Sequence, residues 1–318
     1  MVVKLLAFKI MKKIYLHIGV HKTGTTSLQQ FTRKNHELLS ELGLYVPPPG
    51  KTIDAQGNEI NLGSAGGGLH AIPKSISGKD PYVLNAFLND FENSQLNSAL
   101  ISSEGFDSLE KNDINFLADL LKNYQVQPVV VFRHPVHLAR SIYCSLGRIS
   151  PVQGTRLIDS KLFFTHPGYL FSKIWPSKEQ SSKISRTNFI LRQATRRIYD
   201  FQGFCRDWSC LGKVKVFLFE QSTNIAEDIL QHLLQDNTNS LQAIKDMNIP
   251  RLRSSLPVPV AVLNNELYTS LNIDINIYHK HIYPYLVNFS RSKKIEKFKK
   301  NSHSKIYFLL ATQTRLFS

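Results

Sequence analysis

Residues 13–31, KIYLHIGVHKTGTTSLQQF, decide the fold of this chain. Residues 14–18 form an apolar run of β-branched and aromatic side chains bounded by a glycine, the pattern of a buried strand. Between Gly19 and Gly24 the backbone is free to turn sharply and to approach a ligand closely. Thr25, Thr26 and Ser27 then lead into LQQFTRKNHELL, which has the spacing of one amphipathic helix. A strand, a glycine loop and a helix N-terminus in succession aim free N–H groups and the positive end of a helix dipole at one spot. Such a spot holds a phosphate-like anion.

The position of the lysine narrows the choice of anion. A nucleotide-triphosphatase loop carries lysine directly after its second glycine. Here Thr25 stands in that place, and the lysine has moved inside the loop to Lys22. HKTGTTSL, with its lysine and four hydroxyls, resembles the first signature of the sulfotransferases that use 3′-phosphoadenosine 5′-phosphosulfate (PAPS), and among them most resembles the carbohydrate and bacterial branch. The resemblance continues at residues 127–132, QPVVVF, an uninterrupted apolar run that predicts a parallel strand covered on both faces. Arg133 ends that run, Pro135 fits the first turn of a following helix, and Ser141 lies eight residues beyond Arg133. In the family an arginine and a serine so spaced hold the 3′-phosphate. A guanidinium suits that task because it binds phosphate oxygens bidentately, with a hydroxyl completing the shell.

Several assignments follow from the resemblance. Lys22 and the N–H groups of Thr23, Gly24, Thr25, Thr26 and Ser27 are expected to hold the 5′-phosphosulfate, Lys22 also as a catalytic group, and Arg133 and Ser141 the 3′-phosphate. Glu104 follows a second short apolar run, residues 99–102, which places it at the carboxyl end of a strand where open α/β sheets bind their ligands. A carboxylate there is suited to take the proton of an attacking hydroxyl, the role a comparable glutamate has in glycan sulfotransferases. A glutamate that merely introduces a helix over 107–123 is the competing reading. Glu220, ending a fourth strand over 213–219, resembles a strand-end glutamate with a structural role. PAPS is the implied co-substrate and PAP the product, no metal is implied, and the acceptor is expected to be a hydroxyl on a glycan or glycolipid.

Composition agrees with an anion-handling protein. The chain has 318 residues, 39 Lys+Arg against 24 Asp+Glu, and a net charge of +15, which favours nucleotides, nucleic acid, acidic glycans or membrane surfaces as partners. Nucleic acid is not the expected partner. Three cysteines (Cys144, Cys205 and Cys210) are odd in number and lack metal-ligand spacing, as suits a reducing compartment. The opening MVVKLLAFKI is interrupted by Lys4 and Lys9 and precedes no small-residue cleavage site, and Met11 offers an alternative start. No apolar run reaches the roughly 20 residues of a membrane span. The expectation is a soluble cytoplasmic protein without signal peptide or transmembrane segment.

The remaining chain is read more coarsely. Residues 51–80 are polar and glycine-rich, an expected acceptor-side lid in which His70 and Lys74 are able to touch substrate. A helix is expected over 81–92, a loop over 150–185, a helix with Arg192, Arg196 and Arg197 over 187–204, and another helix over 224–234. Arg251, Arg253, Ser254 and Ser255 precede a C-terminal segment with seven Lys/Arg between Arg291 and Lys305, a candidate basic amphipathic helix for an anionic surface. The sequence thus predicts a single α/β domain over 1–318. It is a three-layer sandwich with a mainly parallel central sheet, similar to nucleotide kinases. Its core covers about residues 12–236, and a helical C-terminal extension covers about 250–318. Two other functions share these features: a P-loop-type nucleotide-dependent kinase, and a non-catalytic binder of nucleotides or anionic polymers.

Overall fold

The computed structural model describes residues 11–20, 22–48, 51–53, 56–62, 68–134, 137, 138, 141, 200–235, 242–244, 246, 247 and 249. The chain divides into two compact units, Met1–His134 with Lys183–Arg253, and Pro135–Ser182 with Ser254–Ser318. In the second unit Leu138 and Ser141 are buried. The first unit is an α/β fold. Its strands are β1 (Lys13–Ile18), β2 (Leu44–Tyr45), β3 (Lys51–Ile53), β4 (Glu59–Asn61), β5 (Ser98–Ser103), β6 (Gln125–Phe132) and β7 (Lys215–Leu218). Its helices include α1 (Thr25–Lys34), α2 (His36–Glu41), α3 (Ala71–Ser77), α4 (Tyr82–Asn93), α5 (Lys111–Leu120), α6 (Phe201–Trp208) and α7 (Ile225–Leu233).

Five strands form one sheet in the order β2-β5-β1-β6-β7, and every pairing in it is parallel. The mainly parallel sheet expected from the sequence is therefore present. β1 lies at its centre because Ile14, Tyr15, Leu16 and Ile18 are apolar on both faces and need cover on both. One face carries Tyr15, Leu100, Val129 and Val131 against Leu28 and Phe31 of α1 and Ile229 and Leu230 of α7. Toward α6, the Phe132 ring stacks on Phe201 at 4.3 Å between centroids and meets Phe204 edge-on. Because all five strands run the same way, their carboxyl ends share one edge. Gly19, Glu104, Arg133 and the turn through Glu220 all follow those ends directly.

Local structure departs from the sequence reading in three places. The helix after the loop begins at Thr25, directly after Gly24, whose φ of 84° supplies the left-handed turn into it. It also stops at Asn35, whose side-chain amide donates to the Phe31 carbonyl at 2.8 Å, so α1 and α2 replace one continuous helix. Residues 51–80 hold a two-stranded antiparallel hairpin, β3 with β4, and the helix α3 rather than an unstructured lid. The hairpin inverts the usual pattern, with Thr52 buried and Ile53 exposed. The Thr52 hydroxyl donates to Asp90 Oδ2 at 3.0 Å, and Tyr45 donates to the same oxygen at 2.7 Å. Finally, a 3₁₀ turn (Glu104–Ser108) precedes α5, which starts at a capping box of Glu110 and Asp113.

Residues 1–10, the 150–185 segment, Arg192, Arg196, Arg197, Cys144 and the C-terminal extension over about 250–318 lie outside the described residues. No helix among the described residues is long and apolar enough to cross a membrane.

His17 on β1 is fully buried, with Nδ1 2.8 Å from Ser102 Oγ across the β1–β5 pairing and Nε2 bonded to no partner. Burial pushes its pKa down from 6.5 to about 4. The folded protein therefore refuses a proton that the unfolded chain accepts below pH ~6.5. Its stabilising effect is whole above that pH and is lost as pH falls toward ~4, about 3 kcal/mol in all. Urea unfolding of wild type and His17→Gln at pH 7.5 and 4.5 checks this. The stability gap between them should shrink by about 2–3 kcal/mol at the lower pH, and an unchanged gap would contradict it.

Candidate active site

The loop after β1 is fixed from both ends. Its first N–H, on Gly19, donates to the Ser103 carbonyl at 2.9 Å. A Cβ at Gly19 would come within 3.1 Å of the Glu104 backbone, a tight approach that glycine relieves where the loop lies against the end of β5. At the other end, a Cβ on Gly24 would meet the Ile225 side chain at 2.6 Å. Between them Thr23 is buried and its hydroxyl donates to the Val20 carbonyl at 2.6 Å, closing the turn. Lys22 adopts a φ of 66°, a left-handed conformation that lysine rarely takes. His21 lies outside the described residues.

Glu104 meets this loop directly. Thr25 Oγ1, buried in the first turn of α1, donates to Glu104 Oε1 at 2.6 Å. The carboxylate thus sits beside the helix N-terminus, where the dipole favours negative charge. The turn that carries it is held by Ser103, whose hydroxyl accepts the Gly105 N–H at 3.1 Å and lies 3.0 Å from His70 Nδ1. His70, read from sequence as part of a lid, is thereby tied to the end of β5. Gln29, buried on α1, donates to Ser102 at 3.3 Å one residue further back.

Arg133, at the end of β6, reaches the same loop. Its Nη1 donates to the Lys22 carbonyl at 2.9 Å. Its guanidinium lies 4.5 Å from the centroid of the Phe219 ring, and Nε is 3.7 Å from Glu220 Oε1. Glu220 Oε2 accepts the His134 N–H at 3.0 Å, tying the end of β7 to the end of β6. The structural role expected of Glu220 corresponds to this bridge.

The structure therefore gathers Lys22, Thr23, Gly24, Thr25, Glu104 and Arg133 around one loop. Thr23 and Thr25 direct their hydroxyls to Val20 and Glu104, and the Ser27 N–H donates to the Gly24 carbonyl at 3.0 Å in the first helical turn. Thr26 beside them is partly exposed. Ser141 belongs to the second unit, and Pro135 and Arg140 lie outside the described residues. Neither the Thr25–Glu104 bond nor the pairing of Arg133 with Glu220 is expected from the sequence reading. The rule that parallel strands present their carboxyl ends together would have brought Glu220 to Arg133, since both directly follow such ends.

No family model matches the chain, and no curated protein matches it. Among solved structures it is similar to a sulfotransferase from Alicyclobacillus acidocaldarius. Sequence identity is 15% and the TM-score 0.38, over 83% of this chain and 97% of that one. A likeness at this level leaves the functional argument to the chain's own residues.

The 2.6 Å Thr25–Glu104 bond links a hydroxyl to a carboxyl group, and such bonds are worth about 1.5–3 kcal/mol when the partner is charged. Thr25→Val should cost stability of that order in denaturant unfolding, whereas Thr25→Ser should restore most of it. In a Glu104→Gln background the two substitutions should differ by less, because the charged acceptor is gone. Equal stability of the Val and Ser variants would show that the bond contributes nothing.

Proposed function

We propose that this protein transfers the sulfuryl group of PAPS to an acceptor hydroxyl, that of a carbohydrate, by in-line displacement. The observation that carries the reading is the Glu104 carboxylate at 2.6 Å from Thr25, on the first turn of the helix that an anion-binding loop feeds. A general base and an anion site then share one spot, which a plain nucleotide binder does not need.

In this reading Lys22 and the amides at the start of α1 bind the 5′-phosphosulfate. Lys22 also neutralises the charge that grows on the bridging oxygen. Arg133 contributes a guanidinium to the 3′-phosphate; the part given to Ser141 rests on sequence alone. Glu104 accepts the proton of the acceptor hydroxyl while its oxygen attacks sulfur. The new O–S bond forms as the S–O bond to the 5′-phosphate breaks, and the electron pair leaves with PAP. Thr25, by donating to Glu104 Oε1, leaves the other carboxylate oxygen for the acceptor. Thr25 in place of the usual phosphate-binding lysine speaks for a sulfuryl donor over a nucleoside triphosphate.

The test is thermal unfolding with PAP, ADP and ATP. A ligand at 100 times its Kd stabilises by about 2.7 kcal/mol, a shift of several degrees. PAP should raise Tm by that amount while ADP and ATP at equal concentration raise it far less. An equal or larger shift with ATP would favour the kinase reading instead.

A further inference from the structure

Arg133 is assigned above to a ligand phosphate, and it also contacts the loop directly. Nη1 donates to the carbonyl of Lys22, and Lys22 is a non-glycine loop residue held in a left-handed conformation at φ 66°. That conformation costs a non-glycine residue energy, so something must hold it. Arg133 is itself held, by the Phe219 ring on one face and by Glu220 Oε1 3.7 Å from Nε. Glu220 is fixed in turn by the His134 N–H on its other oxygen. A continuous set of contacts thus runs from the end of β7, through Glu220 and Arg133, to the backbone of Lys22.

We propose that Glu220 is a positioning residue for the anion site, acting through Arg133 to hold Lys22 and the loop amides in their binding geometry. The inference rests on the reading of residues 22–27 as the donor-phosphate site. Its consequence is that the two phosphate subsites are not independent. The guanidinium that meets a 3′-phosphate is the one that braces the loop for the 5′-phosphate, so a ligand at either site alters affinity at the other by the same factor. It also means that a ligand with no 3′-phosphate senses Glu220, although Glu220 carries the same sign of charge as the ligand and does not attract it.

The experiment uses Glu220→Gln, which keeps an oxygen to accept the His134 N–H and removes the charge facing Arg133. Arg133→Lys is the second variant, keeping the charge without the planar fork. Amide hydrogen exchange is followed in ligand-free protein, and calorimetry measures binding of adenosine 5′-monophosphate and of PAP. In both variants the amides of residues 22–27 should exchange about tenfold faster, as for loss of one hydrogen bond to a charged group, while those of β1 and β6 keep their rates. In Glu220→Gln both adenosine 5′-monophosphate and PAP should weaken, each by a comparable factor; in Arg133→Lys adenosine 5′-monophosphate should weaken as well, and PAP, which also loses its 3′-phosphate contact, should weaken more. Unchanged loop exchange, with weakening of PAP alone, would overturn the proposal and leave Arg133 a 3′-phosphate ligand only. Faster exchange throughout β1 and β6 would equally overturn it, reducing Glu220 to a general stabiliser of the sheet. If wild type binds neither nucleotide, the sulfotransferase reading fails, and the exchange rates of the ligand-free loop still decide whether Glu220 positions it.

Discussion

The hydrogen bond from the Gly19 N–H to the Ser103 carbonyl is the constraint on which the site depends. It continues the β1–β5 register, in which Ile18 stands opposite Ser103, one step past the end of β1. The last bond of the sheet therefore sets where the loop begins and where Glu104 leaves its strand. A slip of one residue would turn every side chain of β1 to the other face and separate Glu104 from Thr25. The slip is opposed because it would exchange the side chains packed on the two faces of β1 and part His17 from Ser102. Precision at the site is inherited from the packing of the central strand.

Much of this architecture is legible in the amino-acid sequence. The apolar run of β1, the glycine pair and the hydroxyl-rich helix start spell out a strand, loop and helix in the right order, and the ends of β5 and β6 bring Glu104 and Arg133 to the same edge. What the sequence does not reveal is pairwise. Nothing in the spacing of Thr25 and Glu104, 79 residues apart, foretells a hydrogen bond. The β3–β4 hairpin leaves little trace because its strands are three residues long and bury a threonine while exposing an isoleucine. A polar anchor on Asp90, not apolar burial, orients that strand, so hydrophobic alternation carries no signal there. The break at Asn35 is likewise hidden, because the apolar residues on both sides keep helical spacing and only the side-chain bond to Phe31 marks the stop.

The charge balance of the site differs from that of the chain. An excess of +15 draws polyanions in from a distance, but two carboxylates stand at the carboxyl edge of the sheet among the cationic groups. Glu104 faces the helix N-terminus and Glu220 faces Arg133. Each is bound by a donor from the neighbouring element. Long-range attraction and short-range geometry are thus supplied by different residues, and the geometry is held by hydrogen bonds that salt screens weakly.

The most direct test of the central claim is transfer of a radiolabelled sulfuryl group from PAPS to a pool of glycan acceptors, with wild type and Glu104→Gln compared at equal folded concentration. Labelled product and stoichiometric PAP are expected with wild type, and loss of nearly all transfer in Glu104→Gln while PAP still binds. Transfer by Glu104→Gln at the wild-type rate would contradict the assignment of the base. PAP binding by wild type with no transfer to any hydroxyl acceptor would contradict sulfuryl transfer itself.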